Sequence, residues 1–287
     1  MAQADMHNKV CIVTGSTSGI GKATAMGLAK LGATVVMVAR DKDRGEATRT
    51  EIQTKSGNGA VDLLLADLSS QASIHQLVED FQQKYSRLDV LVNNAGISPM
   101  KRSLTVDGIE KTFAVNILAY FLLTNLLLDV LKTSAPARIV NVASAAHSPI
   151  NFDDLQREKR FGWMDVYSQS KFGTILLTYE LAKRLQGTGV SVNCLHPGVI
   201  GTNLMRELPP FAGWFMKLFF SSPEKGAETS IYLASSPEVE GVSGKYFIKR
   251  KEARSSKETY DEAAQQRLWQ MCAELTKLDA EFTEFQY

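Results

Sequence analysis

Short apolar runs alternate with helical stretches along almost the whole of this chain, and that alternation restricts its fold more than any single motif. "VCIVT" (Val10–Thr14) reads as a buried strand, and "IGKATAMGLAKLG" follows it as a helix closed by Gly32. The same unit recurs. "ATVVMVA" precedes a charged helix from Asp41 to about Lys55, "AVDLLLADL" precedes "SIHQLVEDFQQKY", and "LDVLVNNAG" precedes a long helix over 106–132. "RIVNVAS" is a fifth strand, "VSVNCLHPG" a sixth and "GKYFI" a seventh, with the helix "VYSQSKFGTILLTYELAKRL" between the fifth and sixth. Strands that are apolar on both sides must be covered on both sides, and strands that alternate with helices run parallel. The pattern predicts an α/β fold: a doubly wound parallel sheet of about seven strands with helices on both faces.

No repeat, low-complexity stretch or long polar linker divides the 287 residues, so one domain is expected over 1–287. Within it, 8–100 would be mainly a nucleotide-binding half, 101–250 a catalytic and substrate half, and 251–287 an amphipathic helical tail docked on the rest. Formal net charge is +1 and no stretch concentrates Lys and Arg, which argues against a nucleic-acid partner. The three cysteines, Cys11, Cys194 and Cys272, show neither pairing nor metal-ligand spacing. A reduced, cytoplasmic protein without a metal is expected. The amino-terminal "MAQADMHNK" has no apolar region. "ILAYFLLTNLLLDVL" is too short for a bilayer span and reads as a buried helix, so no transmembrane anchor is expected.

After the first strand comes "TGSTSGIGKAT". A strand that turns through glycines into a helix builds a phosphate site: the backbone can approach the ligand, and the helix N-terminus offers free N–H groups and a positive dipole. Gly15, Ser18, Gly19, Ile20 and Gly21 would form it. A kinase-type phosphate loop does not match, because five residues rather than four separate Gly15 from Gly21 and Ala23 stands where Ser or Thr is needed. The second strand ends "VVMVARDKDR". A carboxylate there would read a free ribose 2′-hydroxyl, whereas arginine would accept a 2′-phosphate. Ala39 stands at the carboxylate position and Arg40 follows, which favours NADP(H). The competing reading makes Asp41 a plain helix cap and Arg40 a solvated charge.

Taken together, "TGSTSGIG", "NNAG" (93–96), Ser144 in "NVASAAH", "YSQSK" and "HPG" (196–198) resemble the short-chain dehydrogenase/reductase family, over roughly residues 8–247. "VARDKDRGE", the long interval from Ser144 to Tyr167 and "QRLWQMCAEL" near the end resemble its retinol-dehydrogenase-like branch. The resemblance implies a Rossmann fold and NADP(H)-linked oxidoreduction of lipophilic carbonyls or alcohols. It places Asp67 and Leu68 beside the adenine and Asn94, Ala95 and Gly96 along the cofactor. It puts Pro197, Gly198, Ile200 and Thr202 at the nicotinamide carboxamide or phosphates. It also implies that Lys171 holds the nicotinamide ribose and that Asn116 joins a water-linked proton relay to Lys171.

Reduction of a carbonyl by a nicotinamide needs a proton donor at the carbonyl oxygen. Tyr167 and Lys171 stand four apart, about 6 Å along a helix axis, on one face. A free phenol has a pKa near 10, and a neighbouring cation lowers it. Tyr167 is therefore expected to be the acid/base and Lys171 to tune it, while the Ser144 hydroxyl at a strand end would hydrogen-bond the substrate oxygen. His147 reads as a loop side chain near the site. The segment "LMRELPPFAGWFMKLFF" (204–220) would cover an apolar substrate, and it leaves peripheral lipid contact open. A homodimer is left open too. A non-catalytic NADP(H)-binding regulator on the same fold is the alternative reading.

Overall fold

The structure is a computed structural model that describes residues 5–198 and 222–278. Ile200, Thr202 and the 204–220 segment lie outside the described residues. Eight strands form one sheet, in the order β3-β2-β1-β4-β5-β6-β7-β8. The strands are β1 (Val10–Thr14), β2 (Thr34–Ala39), β3 (Val61–Leu65), β4 (Val90–Asn93), β5 (Ala137–Val142), β6 (Val190–His196), β7 (Lys245–Ile248) and β8 (Lys251–Ala253). The first seven are parallel, and β8 runs antiparallel to β7. The strand order reverses between β1 and β4, and in such sheets ligands bind outside the carboxyl ends of the strands at that switch point.

Alternation within the strands sends side chains to two separate cores. Ile12, Val36 and Val38 join one core, and Cys11, Val13, Val35 and Met37 join the other. The first core is covered by α3 (Gln71–Lys84), α5 (Ala119–Leu126) and α7 (Trp163–Arg184). The second lies under α1 (Gly19–Lys30), α2 (Lys42–Ser56) and α8 (Pro223–Ser235). All three cysteines are buried and free. Among the described residues no helix is long and apolar enough to cross a membrane.

Three elements differ from the sequence expectation. The eighth strand, β8, was not expected: its sequence KEA has no apolar run, and it forms because Lys249 and Arg250 adopt left-handed φ values of 50° and 63° and turn the chain back along β7. The helix expected from residue 106 starts later, because Thr105–Ile109 closes a turn and the Glu110 carboxylate caps the N–H groups of Thr112 and Phe113. It then runs through α4 (Lys111–Phe113), a π-helical turn at Ala114–Leu118 and α5, and α6 (Leu128–Thr133) follows. The tail helix α9 spans Glu262–Thr276 and ends at Lys277, whose φ is +52°.

That tail helix buries Leu268, Trp269 and Cys272, the stripe its i, i+1, i+4 spacing dictates, against α5 and α7. The Trp269 indole meets the Phe121 ring edge-on at 4.7 Å between centroids, and the Arg184 guanidinium lies 4.5 Å from the indole centroid. Trp269→Ala should therefore cost about 3–5 kcal/mol, as emptying a well-packed aromatic site does. Urea unfolding followed by circular dichroism measures it; a loss below about 1 kcal/mol would mean that the tail helix does not share the main cooperative core.

Candidate active site

The glycine loop leaves β1 through Gly15 (φ +65°) and enters α1 through Gly19 (φ +54°), both in the left-handed region that glycine tolerates. The loop is fastened to the end of β4. The Thr14 hydroxyl accepts the Asn94 N–H at 2.9 Å and the Ala95 N–H at 3.0 Å, and the Asn94 side-chain amide donates to the Thr14 carbonyl at 2.8 Å. A Cβ on Gly21 would stand 2.3 Å from the Gly15 carbonyl oxygen and 2.4 Å from Asn94 Nδ2, so no side chain fits there. Ser18 occupies the N-cap of α1, but its hydroxyl does not bond to the helix. The side chain of Ser18 thus leaves first-turn N–H groups uncapped at the positive end of the helix dipole, the chemistry that suits an anion.

At the end of β2, Ala39 is buried and Arg40 is exposed; among the described residues Arg40 has no hydrogen bond or ion pair. The Asp41 carboxylate does cap α2, taking the Arg44 N–H at 2.9 Å. An Asp41 cap beside an exposed Arg40 is what the competing reading expects, and the same arrangement leaves the Arg40 guanidinium without a hydrogen bond or ion pair among the described residues. Nearby, Asp67 receives the N–H and hydroxyl of Ser69 at 2.9 and 2.7 Å. Burial pushes the Asp67 carboxyl up, but the Ser69 hydrogen bonds and the charges of Arg40 and Lys111 outweigh it and hold the group below its usual range. Leu68, beside it, is half-buried. Pro197 and Gly198 (φ +94°) follow β6.

Ser144, Tyr167 and Lys171 meet where β5 ends and α7 begins its second turn. Ser144 is buried; its hydroxyl accepts the Ala146 N–H at 3.1 Å and lies near enough to the Tyr167 phenol to favour its charged form. Lys171, 4% exposed, donates through Nζ to the Val142 carbonyl at 2.8 Å. Its ammonium lies 5.8 Å from the Tyr167 ring centroid and 5.9 Å from that of Tyr120. Burial pushes Lys171 down to about 8. Tyr167 does not show the depression expected from its lysine neighbour: burial raises the phenol, and the Ser144 hydroxyl offsets only part of the rise. The reason is geometric, since the ammonium lies over the ring face and is engaged by the Val142 carbonyl.

Asn116 occupies the π-helical turn, fully buried. Its amide is committed within the protein: Oδ1 takes the Ile97 N–H at 2.8 Å, and Nδ2 donates to the Ile97 carbonyl and the Ser170 hydroxyl, both at 2.9 Å. Ser170 in turn donates to the Tyr167 carbonyl at 2.7 Å. The side chain thus ties the chain after Gly96 to the catalytic helix. A Cβ on Gly96 would come within 3.5 Å of both Asn116 Oδ1 and Lys171 Nζ. His147 is occupied as a strut, bonded to the Ser144 carbonyl at 2.8 Å and to the Ser256 N–H at 3.2 Å.

Two residues of this site escaped the sequence reading. Thr14 opens the glycine motif in the sequence, with nothing there to show that its hydroxyl fastens the loop to β4. Tyr120, whose hydroxyl donates to the Ala95 carbonyl at 2.9 Å, was read as part of an apolar helix. Its spacing of four from Asn116 was the available signal, since it puts both on one helix face.

Comparison with known proteins agrees with this geometry. The short chain dehydrogenase family model matches residues 9–212. Human retinol dehydrogenase 14 is 45% identical over 285 residues, covering 92% of this chain and 85% of the relative. Among solved structures, an uncharacterized protein from Mycobacterium Paratuberculosis superposes with a TM-score of 0.79 at 32% identity, covering 96% of both chains. The Pseudomonas aeruginosa RhlG/NADP active-site complex superposes with a TM-score of 0.71 at 29% identity, over 86% of this chain and 97% of that one. With a parallel sheet, a glycine cradle and a Ser144–Tyr167–Lys171 cluster at its carboxyl edge, this chain belongs to the short-chain dehydrogenase family.

Proposed function

We propose that this protein is an NADP(H)-dependent carbonyl reductase, reversibly an alcohol dehydrogenase, that acts on apolar aldehydes, ketones or the matching alcohols. The observation that carries the reading is the convergence of the Ser144 hydroxyl, the Tyr167 phenol and the Lys171 ammonium beside the glycine cradle. The nicotinamide, when bound, supplies or takes the hydride. The protein's share is to bind, orient and move a proton. Ser144 holds the substrate oxygen, and Tyr167 gives that oxygen its proton in reduction and removes it in oxidation. Lys171 keeps a positive charge beside the phenol and offers N–H donors to the cofactor ribose. Asn116 holds α7 in place, and its position beside Lys171 supports a part in the proton relay.

Arg40 supports NADP(H) over NAD(H). It is a free guanidinium at the ribose end of the cradle, next to an alanine where a carboxylate would repel a phosphate. Asp67 and Leu68 would flank the adenine, and Asn94 to Gly96, Pro197, Gly198, Ile200 and Thr202 would line the rest of the cofactor. The apolar segment 204–220 supports a lipophilic substrate, as does the likeness to retinol dehydrogenase 14. Three free, buried thiols suit a reduced compartment such as the cytoplasm. Contact of the 204–220 segment with a lipid surface, and a homodimer, are compatible with this reading.

Oxidation of NADPH by purified protein over a panel of aldehydes, ketones and quinones tests the reading as a whole; no turnover on any of them would defeat it. Tyr167→Phe should lower kcat at least about 100-fold, the scale of a lost general acid, with NADPH affinity nearly unchanged. A variant that retains a tenth of the wild-type rate would remove Tyr167 from its role.

Ala39→Asp with Arg40→Ala should cut the NADPH preference by roughly ten- to a hundredfold, the value of a charge-assisted phosphate contact, towards parity with NADH. Specificity constants with both cofactors measure it, and an unchanged preference in the double variant would count against Arg40.

Because burial raises the Tyr167 pKa, the phenol is protonated at neutral pH. Alcohol oxidation, which needs phenolate, should rise with pH through the alkaline range, whereas carbonyl reduction should fall over the same range. Parallel profiles in the two directions would refute that assignment.

A further inference from the structure

The peptide group between Ser144 and Ala145 is bonded on both of its polar ends by side chains from three different places. Its N–H, on Ala145, donates to Nδ1 of His196 at 3.0 Å. Its carbonyl, on Ser144, accepts the Tyr246 hydroxyl at 3.2 Å and lies 2.8 Å from Nδ1 of His147. His196 ends β6, Tyr246 is in β7, and His147 follows β5 in the same loop as Ser144. No other loop peptide in the site is held in this way among the described residues. The peptide fixed so firmly is the one that sets where the Ser144 hydroxyl points.

The hydrogen bonds also fix the protonation of both rings. A backbone N–H can only donate, so Nδ1 of His196 accepts and carries no proton. The Ser256 N–H donates to Nε2 of His147 at 3.2 Å, so the proton of His147 is on Nδ1, where it reaches the Ser144 carbonyl. Protonated His196 would set an N–H against the Ala145 N–H.

We infer that His196 is a positioning residue for Ser144: its unprotonated Nδ1 holds the Ala145 N–H, and protonation of that ring releases the Ser144 hydroxyl from its aligned position. The consequence for catalysis rests on the reductase reading above. Carbonyl reduction should then lose rate on the acid side through His196, although Tyr167 remains a protonated donor there. The described titratable groups around the pair are His147 in its own loop, Tyr246 on β7, Cys194 on β6, and Tyr167 and Lys171 on α7. Burial and the neighbouring His147 both favour the neutral form of His196.

Two substitutions separate positioning from packing. His196→Asn places an amide oxygen where Nδ1 was, and that oxygen accepts but does not titrate. His196→Leu fills the site and accepts nothing. Steady-state reduction across about pH 5 to 8 should show an acid limb in the wild type, no such limb in His196→Asn, and a ten- to hundredfold lower kcat at every pH in His196→Leu. Tm and NADPH affinity of the asparagine variant should match wild type. Amide hydrogen exchange at Ala145, read by NMR without substrate or cofactor, should quicken relative to its intrinsic rate as the wild type is acidified, and should not in His196→Asn. Equal damage in both variants, an acid limb retained in His196→Asn, or Ala145 exchange that ignores the ring's titration would each overturn the role. If the leucine variant unfolds, the asparagine variant and the exchange measurement decide. If wild type turns over no carbonyl, the exchange arm still tests the positioning, and it is the reductase reading that has failed.

Discussion

Almost every feature of the site is arranged around one buried ammonium. Lys171 is nearly sealed from solvent, and taking a charge out of water is costly unless the protein returns hydrogen bonds and favourable fields. Among the described residues the return is partial: one carbonyl, Val142, and the faces of two aromatic rings. That shortfall is why the group's pKa falls to about 8. An ammonium has three N–H donors, and a single protein acceptor leaves it with capacity for others. A Cβ on Gly96 would stand in ordinary contact with Nζ, at 3.5 Å, so the chain after β4 passes directly beside the ammonium. A lysine left this undersatisfied in a well-packed core is better suited to holding a ligand than to holding the fold.

The nucleotide cradle and the catalytic helix are mechanically one object. From the glycine loop, Thr14 grips Asn94 and Ala95, and the Ala95 carbonyl takes the Tyr120 hydroxyl. Two residues on, Ile97 is clasped by Asn116, which bonds to Ser170, which bonds to the Tyr167 carbonyl. Hydrogen bonds and the short covalent stretch from Ala95 to Ile97 therefore join the glycine loop to the Tyr167 backbone. Each link is buried or half-buried, where hydrogen bonds are stronger and misplacement is costlier than in water. On the proposed reading, hydride and proton transfer need reacting groups aligned to fractions of an ångström, and this run of contacts would supply that alignment from the residues that shape the glycine loop.

Much of this was legible before any coordinates. Seven strands, the glycine cradle and the Tyr167–Lys171 face follow from hydrophobic period and helical spacing, because those depend on local geometry and burial alone. What escaped depends on partners distant in sequence. β8 has the composition of a charged loop and becomes a strand only because β7 offers its edge. The π-helical turn at Ala114–Leu118 leaves no mark in an apolar run, yet it is where the Asn116 amide turns to meet Ile97 and Ser170. The start of that helix was misplaced because Val106 looks like the first member of an apolar stripe; it is 86% exposed, in a turn. The Tyr167 shift runs opposite to the direction its spacing from Lys171 predicts, for a related reason. Spacing places a cation one turn away but says neither how deeply the phenol is buried nor which acceptor engages the cation.

The electrostatics of the site run opposite to those of a site that is ready without its ligands. Burial raises the phenol and lowers the ammonium, so both shifts favour neutral groups. A pair tuned only by each other would have moved the other way, towards phenolate and ammonium. The same burial that suppresses charge makes any charge or acceptor introduced there count for more, because little water remains to screen it. Hydroxyl acceptors beside Nζ would favour the charged lysine, and a positive nicotinamide near the phenol would favour phenolate. By linkage, whatever supplies those contacts binds more tightly to the charged forms and draws the two groups towards them. On the proposed reading, desolvation in the protein alone disfavours the charged pair that proton transfer would use, and the assembled complex would restore it.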